Sequence, residues 1–396
     1  MKLPILATIA LSFTSVAVSA NEDLPKLNDP LATPETVALY HNLYVVGRDH
    51  VLFGHHDTLA YGHDWIGDKD RSDVKDVTGD FPAVYGWDMA PVAAEESDED
   101  IKDARFDKEK LLAYARQAYA RGGVVTFCWH AKNPVTGGLF NDLTPALHTL
   151  LPGGANHEKY KATLDRFAEF FHALLPMPVI FRPYHEHNGD WFWWCKGIAS
   201  EQDYIALWRF TETYLRDVKG VHNLIYAISP DRSRIGLDHA REDYLYGYPG
   251  DDYVDILGLD DYVDVRLPRE GEKSLEDKKK DFVEILTLVS KTAEKKHKVP
   301  ALTETGCETL NVPDWWTTVL LPSLKANGDT RKIEWVEVWR NANAKQEQCE
   351  HFFAPYKGHS SAPDFIKFHD DPFVLFESEL PDMYKEPKAN AFSIRQ

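Results

Sequence analysis

The sequence predicts a single (β/α)8 barrel of the TIM type, and three observations lead there. Eight short apolar segments recur along the chain, most of them separated by stretches with helical apolar spacing. The chemically rich residues fall after these segments, where such barrels carry their chemistry. A doubly wound open sheet would need a glycine-rich phosphate turn after its first strand, and none is present.

The first twenty residues carry only Lys2 as a charge, run through an apolar stretch and end in Val18-Ser19-Ala20, small residues suited to signal peptidase. This predicts a secretory signal over 1–20, cleaved after Ala20, and a mature barrel domain over 21–396 in the periplasm or outside the cell. A membrane anchor would need a longer uninterrupted apolar span. The formal net charge is −19, more negative still once Lys2 is removed, which opposes binding to nucleic acid or anionic membranes. Eleven tryptophans suggest ring-stacking surfaces. Four cysteines, Cys128, Cys195, Cys307 and Cys349, would reach an oxidising compartment, where up to two disulfides could form, with three possible connectivities among which the sequence does not choose. Their spacing lacks the paired CxxC of a structural zinc site.

In order, a helix is predicted over Pro34–Val46 and a first strand over Val51–Gly54. His55, His56 and Asp57 follow, then Tyr61, Gly62, His63, Asp64 and Trp65. Adjacent histidines on a loop lack the i, i+4 geometry of a helical metal pair, so these read as polar groups at a binding mouth. Asp68–Asp80 is dense in charge and is expected to be a solvated excursion. A second strand over Ala83–Trp87 precedes an acidic turn, Glu95–Asp103. A helix over Lys108–Arg121, stopped by Gly122 and Gly123, leads to a third strand, Val124–Phe127, which ends in Cys128, Trp129 and His130.

After a helix over Glu158–Leu175, the run Pro178–Phe181 reads as the fourth strand. It is followed by RPYHEHNGDWFWW, Arg182 to Trp194. Strand alternation would put Arg182, Tyr184 and Glu186 on one face, with Gly189 marking the passage to a loop whose tryptophans wall the pocket. Flat indoles beside His, Asn and Asp suit sugar rings, which have apolar faces and polar rims. The remaining strands are predicted over Asn223–Ser229, Asp255–Leu259, Pro300–Glu304 and Ile333–Trp339, with helices over Gln202–Val218, Ser274–Lys296 and Trp315–Lys325.

Glu186 and Glu304 end strands four and seven, obliquely across the barrel mouth. Glycosidic cleavage needs one carboxylic acid to protonate the departing oxygen and a second carboxylate at the anomeric carbon. Glu186, among Trp191, Trp193 and Trp194, would be kept protonated by desolvation, and Glu304 ionised by hydrogen bonds or by Arg182 or Arg340.

RPYHEHNGDWFWW, Asp260-Asp261-Tyr262, Ala301–Gly306 (ALTETG) and Val338–Asn343 (VWRNAN), with Trp129-His130 and the HHD…YGHDW loop, resemble glycoside hydrolase family 26, chiefly β-mannanases. The resemblance spans nearly the whole mature chain. It implies a retaining enzyme acting on mannan, glucomannan or galactomannan, with β-1,3-xylan or mixed-linkage β-glucan as alternative polymers. By family position Glu186 is the acid/base and Glu304 the nucleophile. His185 would bond near the sugar 2-hydroxyl and the nucleophile, Trp191 would pack under the sugar, and Tyr262 with Asp260 would orient the nucleophile. His130, Trp339 and Arg340 would line the glycone subsites, and Arg182 and Trp194 are further candidates for substrate contact. Cys195 stands where the family more often has Gly. The expected enzyme needs no cofactor or metal, acts as a monomer and takes a mannan-type polysaccharide or oligosaccharide as its substrate.

Overall fold

The computed structural model describes residues 24–94 and 105–387. The expected signal and the acidic turn Glu95–Asp103 lie outside the described residues. Eight parallel strands form a closed sheet: β1 Val51–His56, β2 Val84–Asp88, β3 Val124–Trp129, β4 Val179–Pro183, β5 Leu224–Ile228, β6 Ile256–Asp261, β7 Val299–Thr305 and β8 Trp335–Val338. Closure is by β8 on β1, with Leu52 opposite Trp335 and His55 opposite Val338. A ninth short strand, Val374–Leu375, adds to the start of β1.

Strand alternation divides the apolar residues into two clusters. Leu52, Val84, Val124, Ile180, Ile225, Ile256 and Val299 fill the barrel interior, closed from below by Leu39, Tyr40 and Leu43 of the helix Pro34–Val46. Their outward neighbours, such as Phe53, Phe127, Phe181 and Leu257, pack against the helices Lys108–Arg121, His157–Leu174, Glu201–Thr213 and Leu275–Lys296. With both faces covered, the strands read as continuous apolar runs in the sequence. Pro at the first turn and a Thr33 cap start the first helix, and left-handed Gly122 stops the second.

Two segments differ from expectation. Asp68–Asp80 is a solvated excursion only in part: Asp68 to Asp70 are exposed, but Asp73–Thr78 is helical and the Asp73 carboxylate is buried, accepting from the His63 backbone N–H, Trp65 Nε1 and Asn341 Nδ2, each at 2.8 Å. Charge count misled there because one acid serves three donors that the fold brings together. The expected helix over Trp315–Lys325 is a π-helical turn, Trp316–Leu320, followed by Leu321–Leu324. Replacing Asp73 by Ala leaves three buried donors without an acceptor and is expected to destabilise the protein by about 3 kcal/mol, read as a lower denaturant midpoint at unchanged slope.

Candidate active site

Above the apolar layers the barrel interior turns polar. Alternation along β4 brings Arg182 inward, two residues after Ile180. The Arg182 guanidinium is 3% exposed and reaches three neighbours: Nη1 donates to Ser229 Oγ and Asp260 Oδ2, both at 2.8 Å, and Nη2 donates to Glu304 Oε1. Burial works against its charge, but Asp260 and Glu304 outweigh it and hold Arg182 firmly protonated.

Glu304 reaches the site through an irregularity. On β6 and β7, Leu259 faces Leu302 but Asp260 faces Glu304, so Thr303 is an extra residue in β7. A matching shift occurs against β8. Strict alternation would aim Thr303 inward and Glu304 outward; the bulge re-aims Glu304 into the mouth while Thr303 Oγ1 still donates to Asp260 Oδ1 at 2.7 Å. Tyr262 OH completes the setting, donating to Glu304 Oε2 at 3.0 Å.

Glu186 arrives by a break in the strand. β4 ends at Pro183, and Tyr184 and Glu186 both take left-handed backbone angles, with φ of 52° and 55°. The expected shared face of Arg182, Tyr184 and Glu186 is therefore not formed. Tyr184 is fully buried toward the helices, bonded to Tyr160 OH, whereas Glu186 turns back into the mouth. Its Oε2 accepts from Trp191 Nε1 at 2.6 Å. Gly189 permits this fold-back, since a Cβ there would stand 2.6 Å from the Trp191 ring. Burial, then the charges of Asp231, Asp260 and Glu304, pushes Glu186 well above the ordinary carboxylate range, with the Trp191 bond pulling the other way.

One carboxylate oxygen from each of Glu186, Asp260 and Glu304 lies within 4.8 Å of the others. Arg182 already neutralises part of this charge, and burial keeps Asp260 well above its usual range. The arrangement thus holds a protonated carboxyl facing a carboxylate gripped by two donors, the asymmetry that acid catalysis with nucleophilic attack requires.

The family profile described as Glycosyl hydrolase family 26 matches residues 28–291. The chain belongs to glycosyl hydrolase family 26. It is 34% identical over 323 residues to a mannan endo-1,4-beta-mannosidase of Bifidobacterium adolescentis, covering 76% of this chain and 31% of that protein. A mannan endo-1,4-beta-mannosidase of Bacillus subtilis is 31% identical over 216 residues, 51% of this chain and 56% of that one. The match thus spans less than two thirds of either relative. Among solved structures, a family 26 β-mannanase from Bacteroides ovatus shares 39% identity at a TM-score of 0.79, covering 89% of this chain and 98% of that one. A modular endo-β-1,4-mannanase from Cellulomonas fimi gives 36% and 0.80, covering 93% and 80%.

In this family 26 chain the remaining candidate residues fall into three groups. His130, Trp339 and Arg340 border a cavity of about 680 Å³ that continues past His56, Asp57 and Tyr61. His130 Nδ1 is fixed by Asp88 Oδ2 at 2.6 Å, and Trp339 stacks on His56 at 4.1 Å. Burial pushes the Asp57 carboxyl up to about 7. Arg340 does not attend Glu304; it pairs with both oxygens of Glu347, at 2.9 and 2.8 Å, and donates to Tyr61 OH at 3.0 Å. His185 is buried, 4.5 Å from the His130 ring, and its Nδ1 has no partner among the described residues.

Trp194 lies elsewhere than expected: it is 1% exposed, stacked on Phe192, with Nε1 on the His185 carbonyl at 2.9 Å. It anchors the loop from beneath, as Trp193 does through Nε1 on the Ala131 carbonyl. Only Trp191 of the three touches Glu186. The disulfide expectation also fails: Cys128, Cys195 and Cys307 are buried thiols and Cys349 an exposed one, each free. Cys195 Sγ faces the Glu186 carbonyl at 3.2 Å and Cys307 Sγ faces Asn311 at 3.3 Å, so the buried thiols serve separate local partners.

Sequence reasoning passed over Ser229, Asp88, Asn188 and Asp231. Asn188 stood within the run Arg182 to Trp194 without a role, and the others are brought in by register between strands; Thr303, expected only to flank Glu304, bonds Asp260 instead. Asp88, Cys128 and His130 also offer three donor atoms within 4.8 Å, but Asp88 is engaged as the acceptor that orients His130. Arg182→Met leaves Asp260 and Glu304 buried without their cation and is expected to cost about 3–5 kcal/mol in unfolding free energy, measured by denaturation.

Proposed function

We propose that this chain hydrolyses internal β-1,4-mannosidic linkages in mannan, glucomannan or galactomannan, with net retention of anomeric configuration. The observation that carries this is the approach of Glu186 and Glu304 to within 4.8 Å, in environments that set them apart as acid and nucleophile. One oxygen of each within 4.8 Å of the other suits the roughly 5–5.5 Å separation of retaining enzymes better than the about 6.5–9.5 Å that accommodates the water of an inverting mechanism. The names of the relatives support mannan as the polymer.

In the first step Glu304 attacks the anomeric carbon while the Glu186 proton passes to the departing oxygen, giving a glycosyl ester and a shortened chain. In the second, Glu186, now ionised, takes a proton from water, whose oxygen displaces Glu304. Tyr262 and Arg182 hold the Glu304 carboxylate in line, with Asp260 fixing Arg182. Trp191 offers its indole under the sugar at the cleavage point, and His185 the contact near the 2-hydroxyl. His130, Trp339 and Arg340 receive the glycone rings. Residues 1–20 direct export, to the periplasm or the medium.

Reducing-sugar release from soluble mannan tests the assignment: Glu186→Ala and Glu304→Ala should each lose at least about a hundredfold in kcat. Full activity in Glu304→Ala would refute it. The pH profile supplies a second check. The acid must be protonated, so kcat/KM should fall as pH rises through the raised Glu186 titration. Trp191→Phe removes a donor that favours the ionised form, and the alkaline limb should move to higher pH.

A further inference from the structure

Glu186 holds a left-handed backbone angle, a conformation that is strained for a non-glycine residue and persists only where neighbours enforce it. Its own N–H donates to the Ser229 carbonyl at 2.7 Å, tying it to the end of β5. The loop is held from beneath by Trp194 Nε1 on the His185 carbonyl and Cys195 Sγ on the Glu186 carbonyl, neither of which ties it to β5. The second tie comes from Asn188, two residues on. Asn188 is 4% exposed; its Nδ2 donates to the Asp231 carbonyl at 2.8 Å and its Oδ1 accepts from the Asp231 N–H at 2.7 Å. Both ends of the amide thus meet one backbone residue, a pairing that only a side chain with a donor and an acceptor makes. Asp231 is itself fixed: Ser233 N donates to its carboxylate at 2.7 Å, and its backbone bridges to Asp260.

From this geometry we infer that Asn188 is a positioning residue for the general acid, clamping the Glu186 loop to the β5 end so that the carboxyl faces the departing oxygen. The role rests on the function proposed above. An amide suits the place for a second reason. Asp231, Asp260 and Glu304 already face Glu186, Tyr262 stands beside them, Arg182 is engaged with Asp260 and Glu304, and Arg234 pairs with Asp190 over the Trp191 ring. An acid at 188 would add another negative charge and lose the donor.

The test separates acid catalysis from folding by the leaving group. With mannohexaose the departing alcohol needs a proton; with a dinitrophenyl β-mannobioside it does not. In Asn188→Ala, kcat/KM should fall about 10- to 100-fold on mannohexaose and less than about threefold on the aryl substrate. Asn188→Asp, isosteric but without the donor to the Asp231 carbonyl, should show the same imbalance, and it keeps the test open if the alanine variant does not fold. Equal losses on both substrates, or none on mannohexaose, overturn the role of Asn188. A wild type inactive on both overturns instead the mannosidase reading.

Discussion

The site depends on one buried cation. Arg182 reaches Ser229, Asp260 and Glu304, and so joins the ends of four consecutive strands, β4 to β7, at a level where the apolar filling has stopped. Two carboxylates this deep would be held ionised only at high cost, and a lone guanidinium would fare no better. Together they satisfy one another, with Thr303 and Tyr262 taking the remaining lone pairs. The arrangement fixes which acid is gripped and which is not. Glu304 has two donors bound to it, whereas Glu186 has only the indole N–H and three negative neighbours.

Two departures from regular backbone bring the acids face to face, and both lie at strand ends. The extra residue in β7 turns Glu304 inward, and the left-handed pair in the β4 loop turns Glu186 back over the mouth. Neither distortion is held by its own segment alone. The bulge is pinned by Asp260 on the neighbouring strand, and the loop by Ser229, Asp231 and the buried indoles of Trp193 and Trp194. The aromatic density of the run around Glu186 is therefore largely structural: Trp191 bonds Glu186, while Trp194 and Trp193 anchor the loop, Trp193 also bordering the cavity beside His130.

A similar logic runs through the cavity beside His130 and Trp339. Gly86 leaves space for Glu337 to bond His56, since a Cβ there would stand 1.9 Å from Glu337 Oε1. Burial keeps Glu337 well above, and His56 well below, their usual ranges, so the two meet without a charge to be solvated. His56 in turn carries the Trp339 ring on its face. The wall of the cavity is thus set from inside the barrel, and no helix among the described residues is long and apolar enough to cross a membrane.

The sequence by itself determined the order of strands and helices, the barrel they close into and the pair of glutamates at the ends of β4 and β7. Those features follow from local periodicity and from position along the chain, which a single sequence displays directly. Tertiary structure decided what alternation cannot express: the bulge that aims Glu304, the reversal that sends Tyr184 outward, the choice of Arg182 over Arg340 as the cation paired with Glu304, and the burial of Trp194. It also decided that Asp73 is a hub within the fold and that the cysteines stay apart. The bulge and the Arg182 pairing depend on register between strands, where a shift of one residue exchanges the inside for the outside, and the others on loop and helix contacts that a strand pattern does not display.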